Sequence, residues 1–191
     1  MIKLTNETLN NQYRNTSYDS LSLHQRIVLN NGGCLTKLLE DLFEENLYLQ
    51  KLKEEIYESP NEDLVMKLGK GQKVIDRKIL LTGSDSELNH LYAESKIILD
   101  NLEQDFKNLL LYSNVPIGKI WEQLKVETYK TLCAWGDEKA GFNAAYFNVS
   151  PSEILLYRTY LVYSNGRPVM RITEKFPLSR SFQPINKRIT A

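Results

Sequence analysis

With only two histidines and two cysteines in 191 residues, chemistry in this chain has to rest on Arg, Lys, Asp, Glu, Tyr or backbone amides. Three places stand out. In Val74-Ile75-Asp76-Arg77-Lys78-Ile79-Leu80-Leu81, a β-rich run, alternate side chains share a face, so Arg77 lies on the side of Ile75 and Ile79. A guanidinium on a buried face needs an anion, because an unpaired buried charge is costly; the alternative is an outward Arg77 paired across the sheet. In Val169-Met170-Arg171-Ile172-Thr173-Glu174-Lys175-Phe176-Pro177, Glu174 shares a face with Ile172 and Phe176. A carboxylate there pairs with a cation or holds a raised pKa, as acid/base groups do; a one-residue bulge would instead turn it to the surface. The third place is Ser113-Asn114-Val115-Pro116-Ile117-Gly118. A helix N-terminus there offers free N–H donors and a positive dipole end to an anion, and Gly118 gives a ligand room, although most such starts only begin a helix.

Other residues read as structural. Gly32-Gly33 lacks the surroundings of a phosphate loop, His24 and His90 stand alone, and Arg180, Lys187 and Arg188 belong to a solvated tail. Cys34 and Cys133 are too few for a disulfide framework and suit a reducing compartment. The scarcity of His and Cys also leaves no zinc cluster in prospect.

The elements that must position these residues follow from periodicity. Leu35, Leu38, Leu39, Leu42 and Phe43 form a helical stripe. The stretch 47–58 suits either a helix or a strand. Strands are predicted over about 74–81 and 91–99, separated by a turn cluster at Thr82–Ser86. An amphipathic helix carries Leu102, Phe106, Leu109 and Leu110, and a second starts with Pro116 at its first position and presents Ile117, Ile120, Trp121 and Leu124. A strand over 128–135 runs into a turn at Gly136–Gly141. Asn165-Gly166, between β-rich runs at 154–162 and 169–176, is the strongest hairpin signal. The outcome is an α+β domain spanning 1–191, with five or six antiparallel strands and a polar, loosely docked arm at 1–20.

The 24 basic and 24 acidic residues cancel, which argues against nucleic acid or an anionic membrane as a partner. No apolar run reaches membrane-spanning length, and the first residues carry no targeting signal. Asn occurs 16 times and Ala 6, the bias of AT-rich codons.

Four stretches, in order, carry a resemblance: Cys34-Leu35-Thr36-Lys37-Leu38-Leu39-Glu40, Asp76-Arg77-Lys78-Ile79-Leu80-Leu81, Val115-Pro116-Ile117-Gly118-Lys119, and Gly166-Arg167-Pro168 through Thr173-Glu174-Lys175-Phe176-Pro177. Together they resemble the chorismate pyruvate-lyase (chorismate lyase) family, especially its cyanobacterial and plastid-encoded branch. Two departures are visible. Leu35 stands where the better-known bacterial members usually have methionine, and the last hairpin is one residue longer, which bears on the facing of Glu174.

The resemblance implies a six-stranded antiparallel sheet with helices and a buried ligand cavity. It also implies conversion of chorismate to 4-hydroxybenzoate and pyruvate without metal or organic cofactor. Arg77 and Glu174 would be catalytic, and Leu35, Arg77, Ile117, Gly118 and Glu174 would bind substrate. In that reading Arg77 grips a carboxylate, assisted by amides near Ile117 and Gly118. Glu174 sits at the 4-hydroxyl end, and Leu35 forms apolar wall. Arg158 and Lys96 are read as surface or supporting cations. The product would feed plastoquinone- or ubiquinone-type quinone synthesis in a plastid stroma or cyanobacterial cytoplasm. The competing class is a non-catalytic domain that binds a small carboxylate or phenolic acid, as in the effector-sensing domains of bacterial regulators. Such regulators need a DNA-binding winged helix, and only about 30 mostly polar residues precede the first matched helix.

Overall fold

Asn165 and Gly166 both take positive φ, 50° and 72°, as a two-residue hairpin turn with the twist of its strands requires. They join β5 (Ile154–Ser164) to β6 (Arg167–Pro177). The computed structural model describes residues 17–177, and this hairpin supplies two neighbouring strands of its six-stranded sheet. The other strands are β1 (Leu47–Glu58), β2 (Lys73–Gly83), β3 (Asn89–Ile98) and β4 (Tyr129–Lys139). All neighbours run antiparallel in the order β1-β2-β3-β6-β5-β4, with five helices, α1 (Leu23–Asn30), α2 (Leu35–Phe43), α3 (Gln104–Tyr112), α4 (Ile117–Leu124) and α5 (Ala144–Phe147). The fold is α+β, as the patterning predicts.

One face of the sheet is covered by helices. Leu35, Leu39 and Phe43 of α2 pack on Leu47, Leu81, Leu91 and Phe176. Phe106 and Leu110 of α3, with Ile120 and Trp121 of α4, pack on Ile75, Ile97, Val162 and Met170. The opposite face is covered in part by α5, whose Phe147 meets Leu80, Tyr92 and Leu155. The 59–72 connection adds Met66 and Leu68 over Val74, Ile98 and Leu161. Among the described residues no helix is long and apolar enough to cross a membrane.

Several boundaries differ from the sequence expectation. The ambiguous 47–58 stretch is the edge strand β1, where Leu47 and Leu49 are buried and Tyr48 and Gln50 exposed. The turn expected at Gly136–Gly141 begins only after Lys139, because β4 stays paired with β5 through Lys139↔Ile154. Gly136 is a strand residue there: a Cβ would lie 3.1 Å from Tyr157 Oη, so the missing side chain makes room for a ring on the neighbouring strand. Pro116 caps α4 from outside, with ψ 141°, rather than forming its first turn. Helix α1 goes unpredicted, although Ser22 and Gln25 carry its signature. Ser22 Oγ accepts from the Gln25 N–H, and Gln25 Oε1 accepts from the Ser22 N–H at 2.8 Å. Of the expected arm, residues 1–16 lie outside the described region. Ser17–Ser20 are described, and Tyr18 makes an edge contact with Trp135, ring centroids 5.7 Å apart.

The link between α2 and β1 is fastened to the β2–β3 turn by one buried carboxylate. Glu45 accepts hydrogen bonds from the Asp85 and Ser86 amides and from Ser86 Oγ at 2.7 Å, and His90 Nε2 lies 2.7 Å from Oε1. Burial works to raise the Glu45 pKa, but these partners win and bring it from 4.5 down to about 2. A carboxyl depressed on folding adds stability that is complete above the unfolded value and lost as pH falls from about 4.5 towards 2. Glu45→Gln should therefore lower unfolding free energy near neutrality by about 3 kcal/mol. It should also flatten the loss of stability below pH 5, both measured by urea denaturation across pH.

Candidate active site

Cross-strand register sets two rows of side chains next to each other on the helix-covered face. Arg158, Glu174, Ala93 and Ile79 form one row, and Tyr160, Ile172, Ser95 and Arg77 form the next. Arg77 and Glu174 stand two strand spacings and one row apart, about 12 Å between backbones on ordinary sheet dimensions. Above the rows lie the first turns of α2 and α4, which bring Leu35, Thr36, Pro116, Ile117 and Gly118 over the same space. The result is a cavity offering about 60 Å³ to the centres of water molecules. Leu35, Arg77, Ile117, Gly118 and Glu174 all line it.

The side chain of Arg77 is 1% exposed, and none of its guanidinium nitrogens has a hydrogen-bond partner. Glu54 Oε1 lies 3.0 Å from Nε without the alignment of a hydrogen bond, and its other oxygen is 2.9 Å from Lys51. Burial pulls the Arg77 pKa down and Glu54 opposes it, but arginine starts so high that the group stays cationic. A buried, charged and unsatisfied fork facing a cavity is a ready acceptor for a carboxylate. The α4 N-terminus adds donors: no side chain caps it, and the amides of Ile117 and Gly118 have no partner within the helix. Gly118 is needed for a different reason from the one its sequence context suggests. A Cβ would lie 2.7 Å from Cys34 Sγ, so the glycine lets α4 approach the start of α2 rather than admitting a ligand.

Glu174 is turned inward, 6% exposed. The hairpin's extra residue is absorbed near the turn, where register shifts between Val162 and Tyr163, so the alternation through Ile172, Glu174 and Phe176 is undisturbed. Each oxygen of its carboxylate accepts one hydrogen bond from the protein and keeps a further lone pair. Arg158 Nε donates to Oε2 at 2.6 Å and the Tyr160 hydroxyl donates to Oε1 at 2.8 Å. Burial acts to lower the Arg158 pKa, yet Glu174 and Tyr160 outweigh it and the net shift is upward. Burial and the Glu174 charge together push the Tyr160 hydroxyl well above its ordinary value, keeping it a donor.

Arg158 is therefore a supporting cation, the second of the two roles the sequence leaves open, and not a surface one. It is 2% exposed, and its Nη1 donates to the carbonyls of Val28, Leu29 and Asn31 at 2.5, 3.2 and 3.1 Å. The alternation that points to Arg77 would have found it, since Leu156, Arg158 and Tyr160 share one parity and are all buried. Lys96 does lie away from the cavity, on the opposite face, where it donates to the Tyr57 hydroxyl at 2.5 Å and sits 3.4 Å from Asp76. Lys130 and Trp121 also line the cavity without having been singled out. Lys130 donates to the Gly33 carbonyl, and its Nζ lies 5.1 Å from the Trp121 ring centre and 5.5 Å from that of Tyr160. Burial lowers its pKa, with Glu174 opposing. Among the described residues, no three His, Cys, Asp or Glu side chains are placed to share a metal ion.

The profile of a family described as "Chorismate pyruvate-lyase Rv2949c-like" matches residues 29–183, a span that includes every residue of this cavity. The chain belongs to that family. It is 30% identical over 155 residues to a chorismate pyruvate-lyase of Mycobacterium tuberculosis, covering 79% of this chain and 78% of the relative. With that of Mycobacterium leprae it shares 26% over 174 residues, covering 91% and 81%. These relatives are mycobacterial, and the match is to the family rather than to its cyanobacterial and plastid branch. In fold, this chain is similar to PhnF from Mycobacterium smegmatis, with TM-score 0.61, 10% identity and coverage of 79% and 66%. A GntR-family transcriptional regulator from Enterococcus faecalis gives TM-score 0.50, 12% identity and coverage of 69% and 94%.

The buried pair yields a stability test. Arg158→Met leaves the Glu174 carboxylate buried without its cation and should destabilise the protein by about 3–5 kcal/mol. The double variant Arg158→Met/Glu174→Leu should recover much of that loss in urea denaturation.

Proposed function

We propose that this protein converts chorismate to 4-hydroxybenzoate and pyruvate, with Arg77 and Glu174 at opposite ends of the reacting ring. The observation that carries the proposal is the buried Arg77 guanidinium, with three nitrogens lacking hydrogen-bond partners, facing across one cavity a carboxylate paired with Arg158. Arg77 grips the ring carboxylate, and the Ile117 and Gly118 amides assist. Glu174 accepts a hydrogen bond from the C4 hydroxyl, and Leu35 and Ile172 wall the ring.

Chorismate supplies much of its own driving force. The C3–O bond to the enolpyruvyl group breaks, the C4 proton departs, and the released electron pair completes the aromatic ring. The leaving enolpyruvate gains a proton on its methylene and becomes pyruvate, so atoms and charge balance. What the protein adds is position and electrostatic stabilisation. Glu174, paired with Arg158 and hydrogen-bonded by Tyr160, is placed to orient the hydroxyl or to accept the departing proton.

A second reading is a domain that binds a small carboxylate or phenolic acid without turning it over. The likeness in fold to GntR-type regulators favours it, and turnover separates the two. For the wider setting, we propose that the product enters prenylated quinone synthesis of the plastoquinone or ubiquinone type, in a plastid stroma or a cyanobacterial cytoplasm. The 16 Asn against 6 Ala support an AT-rich genome of that kind.

Purified protein incubated with chorismate should produce 4-hydroxybenzoate, followed by its absorbance, well above the spontaneous rate. A folded preparation that yields none overturns the lyase reading. Arg77→Ala should lower kcat/KM by roughly 100-fold and weaken 4-hydroxybenzoate binding similarly, as expected for loss of a buried charge contact.

A further inference from the structure

Lys130 is the cavity cation that the reading above leaves without a task. It lies on the edge strand β4, where it pairs with Val162, and its side chain crosses Tyr160 to reach Trp121 and the Gly33 carbonyl just before α2. That carbonyl takes one of the ammonium's three donors. Among the described residues no carboxylate forms an ion pair with it, whereas Lys119, at the neighbouring helix start, is bound to Glu40 at 2.6 Å.

Charge within the site shows what Lys130 is for. Glu54 is shared between Lys51 at 2.9 Å and Arg77 at 3.0 Å, so that trio keeps one positive charge in excess, and Glu174 is neutralised by Arg158. Arg77 and Lys130 remain, two cations facing one cavity. Chorismate carries two carboxylates, and its aromatic product carries one. A single guanidinium satisfies the product, while the substrate needs a second cation placed away from the first. Lys130 stands on the Tyr160 and Trp121 side of the cavity, beside the Glu174 end of the ring where the enolpyruvyl ether must lie. The flanking aromatic rings accept the ammonium without competing for its protons.

We infer that Lys130 binds the enolpyruvyl carboxylate, the group that leaves as pyruvate, and thereby distinguishes the dianionic substrate from the monoanionic product. Lys130 is a substrate-binding residue in this assignment, which rests on the lyase reading. In this assignment, departure of pyruvate removes one of the two anchored anions and leaves the product on Arg77 alone.

The test compares wild type with Lys130→Met and Lys130→Arg. Loss of the charge should raise KM for chorismate by about 10- to 100-fold, the usual effect of removing a charge-assisted contact. The Kd for 4-hydroxybenzoate, measured by calorimetry, should move less than about 2-fold, and Lys130→Arg should restore most of the chorismate KM. An unchanged chorismate KM in Lys130→Met overturns the assignment. So does equal weakening of chorismate and 4-hydroxybenzoate, which would mark Lys130 as structural support, and thermal denaturation of each variant identifies misfolding. If wild type binds chorismate but releases no product, the lyase reading fails by itself. The same contrast is then measured as Kd for chorismate against 4-hydroxybenzoate, and absence of a selective loss in Lys130→Met again overturns the inference.

Discussion

A carboxylate enclosed between a sheet and a layer of helices must be given a cation, and supplying one to Glu174 organises the interior of this protein. Arg158 provides it from the adjacent strand, and its second nitrogen reaches the carbonyls at the end of α1. A helix C-terminus is the negative end of its dipole, so the guanidinium bridges two anionic partners at once. One buried side chain thus joins β5, β6 and the first long helix. It also pairs with the Glu174 carboxylate while Tyr160 fixes the carboxylate's orientation. Arg77, two strands away, is treated in the opposite way. It is buried as deeply but left without hydrogen bonds. The site pairs a satisfied carboxylate with an unsatisfied cation, which is an arrangement for receiving an anion at one end and a hydroxyl at the other.

The apolar packing makes room for this arrangement. The cluster under α2 and the cluster under α3 and α4 each close over their part of the sheet, and the polar strip lies where they meet. The first turns of α2 and α4 approach closely there because Gly118 has no side chain to hold Cys34 away. The ligand-facing groups come from paired strands and helix starts, elements whose geometry is set by backbone hydrogen bonds. A molecule with no net charge therefore holds two local cations, Arg77 and Lys130, at one cavity instead of a broad positive field.

Much of this was legible in the residue pattern. The period-2 alternation pointed Arg77 and Glu174 inward, the asparagine–glycine pair located the last hairpin, and the leucine stripe located α2. Arg158 obeys the same alternation, yet the sequence leaves it open between a surface and a supporting cation, because long charged residues are seldom fully buried and its partner lies on another strand. Lys130 carried no pattern at all. Its strand is an edge, where alternation of burial is weak, and its reach depends on which helix passes overhead. The turn at Gly136–Gly141 was misplaced because glycine commonly ends a strand, whereas here it makes room for Tyr157.

By itself, then, the sequence determined the α+β class and singled out the two charged residues whose facing mattered, Arg77 and Glu174, because side-chain alternation and turn chemistry are local properties of the chain. The tertiary structure alone decided that Glu174 would be neutralised by Arg158 and not by Arg77, and that Lys130 would join the cavity. Those outcomes follow from strand order and register, β2-β3-β6-β5-β4. That order sets Arg158 directly opposite Glu174 and keeps Arg77 one strand too far away to reach it. Strand order is settled by long-range packing of whole faces, which no local pattern records.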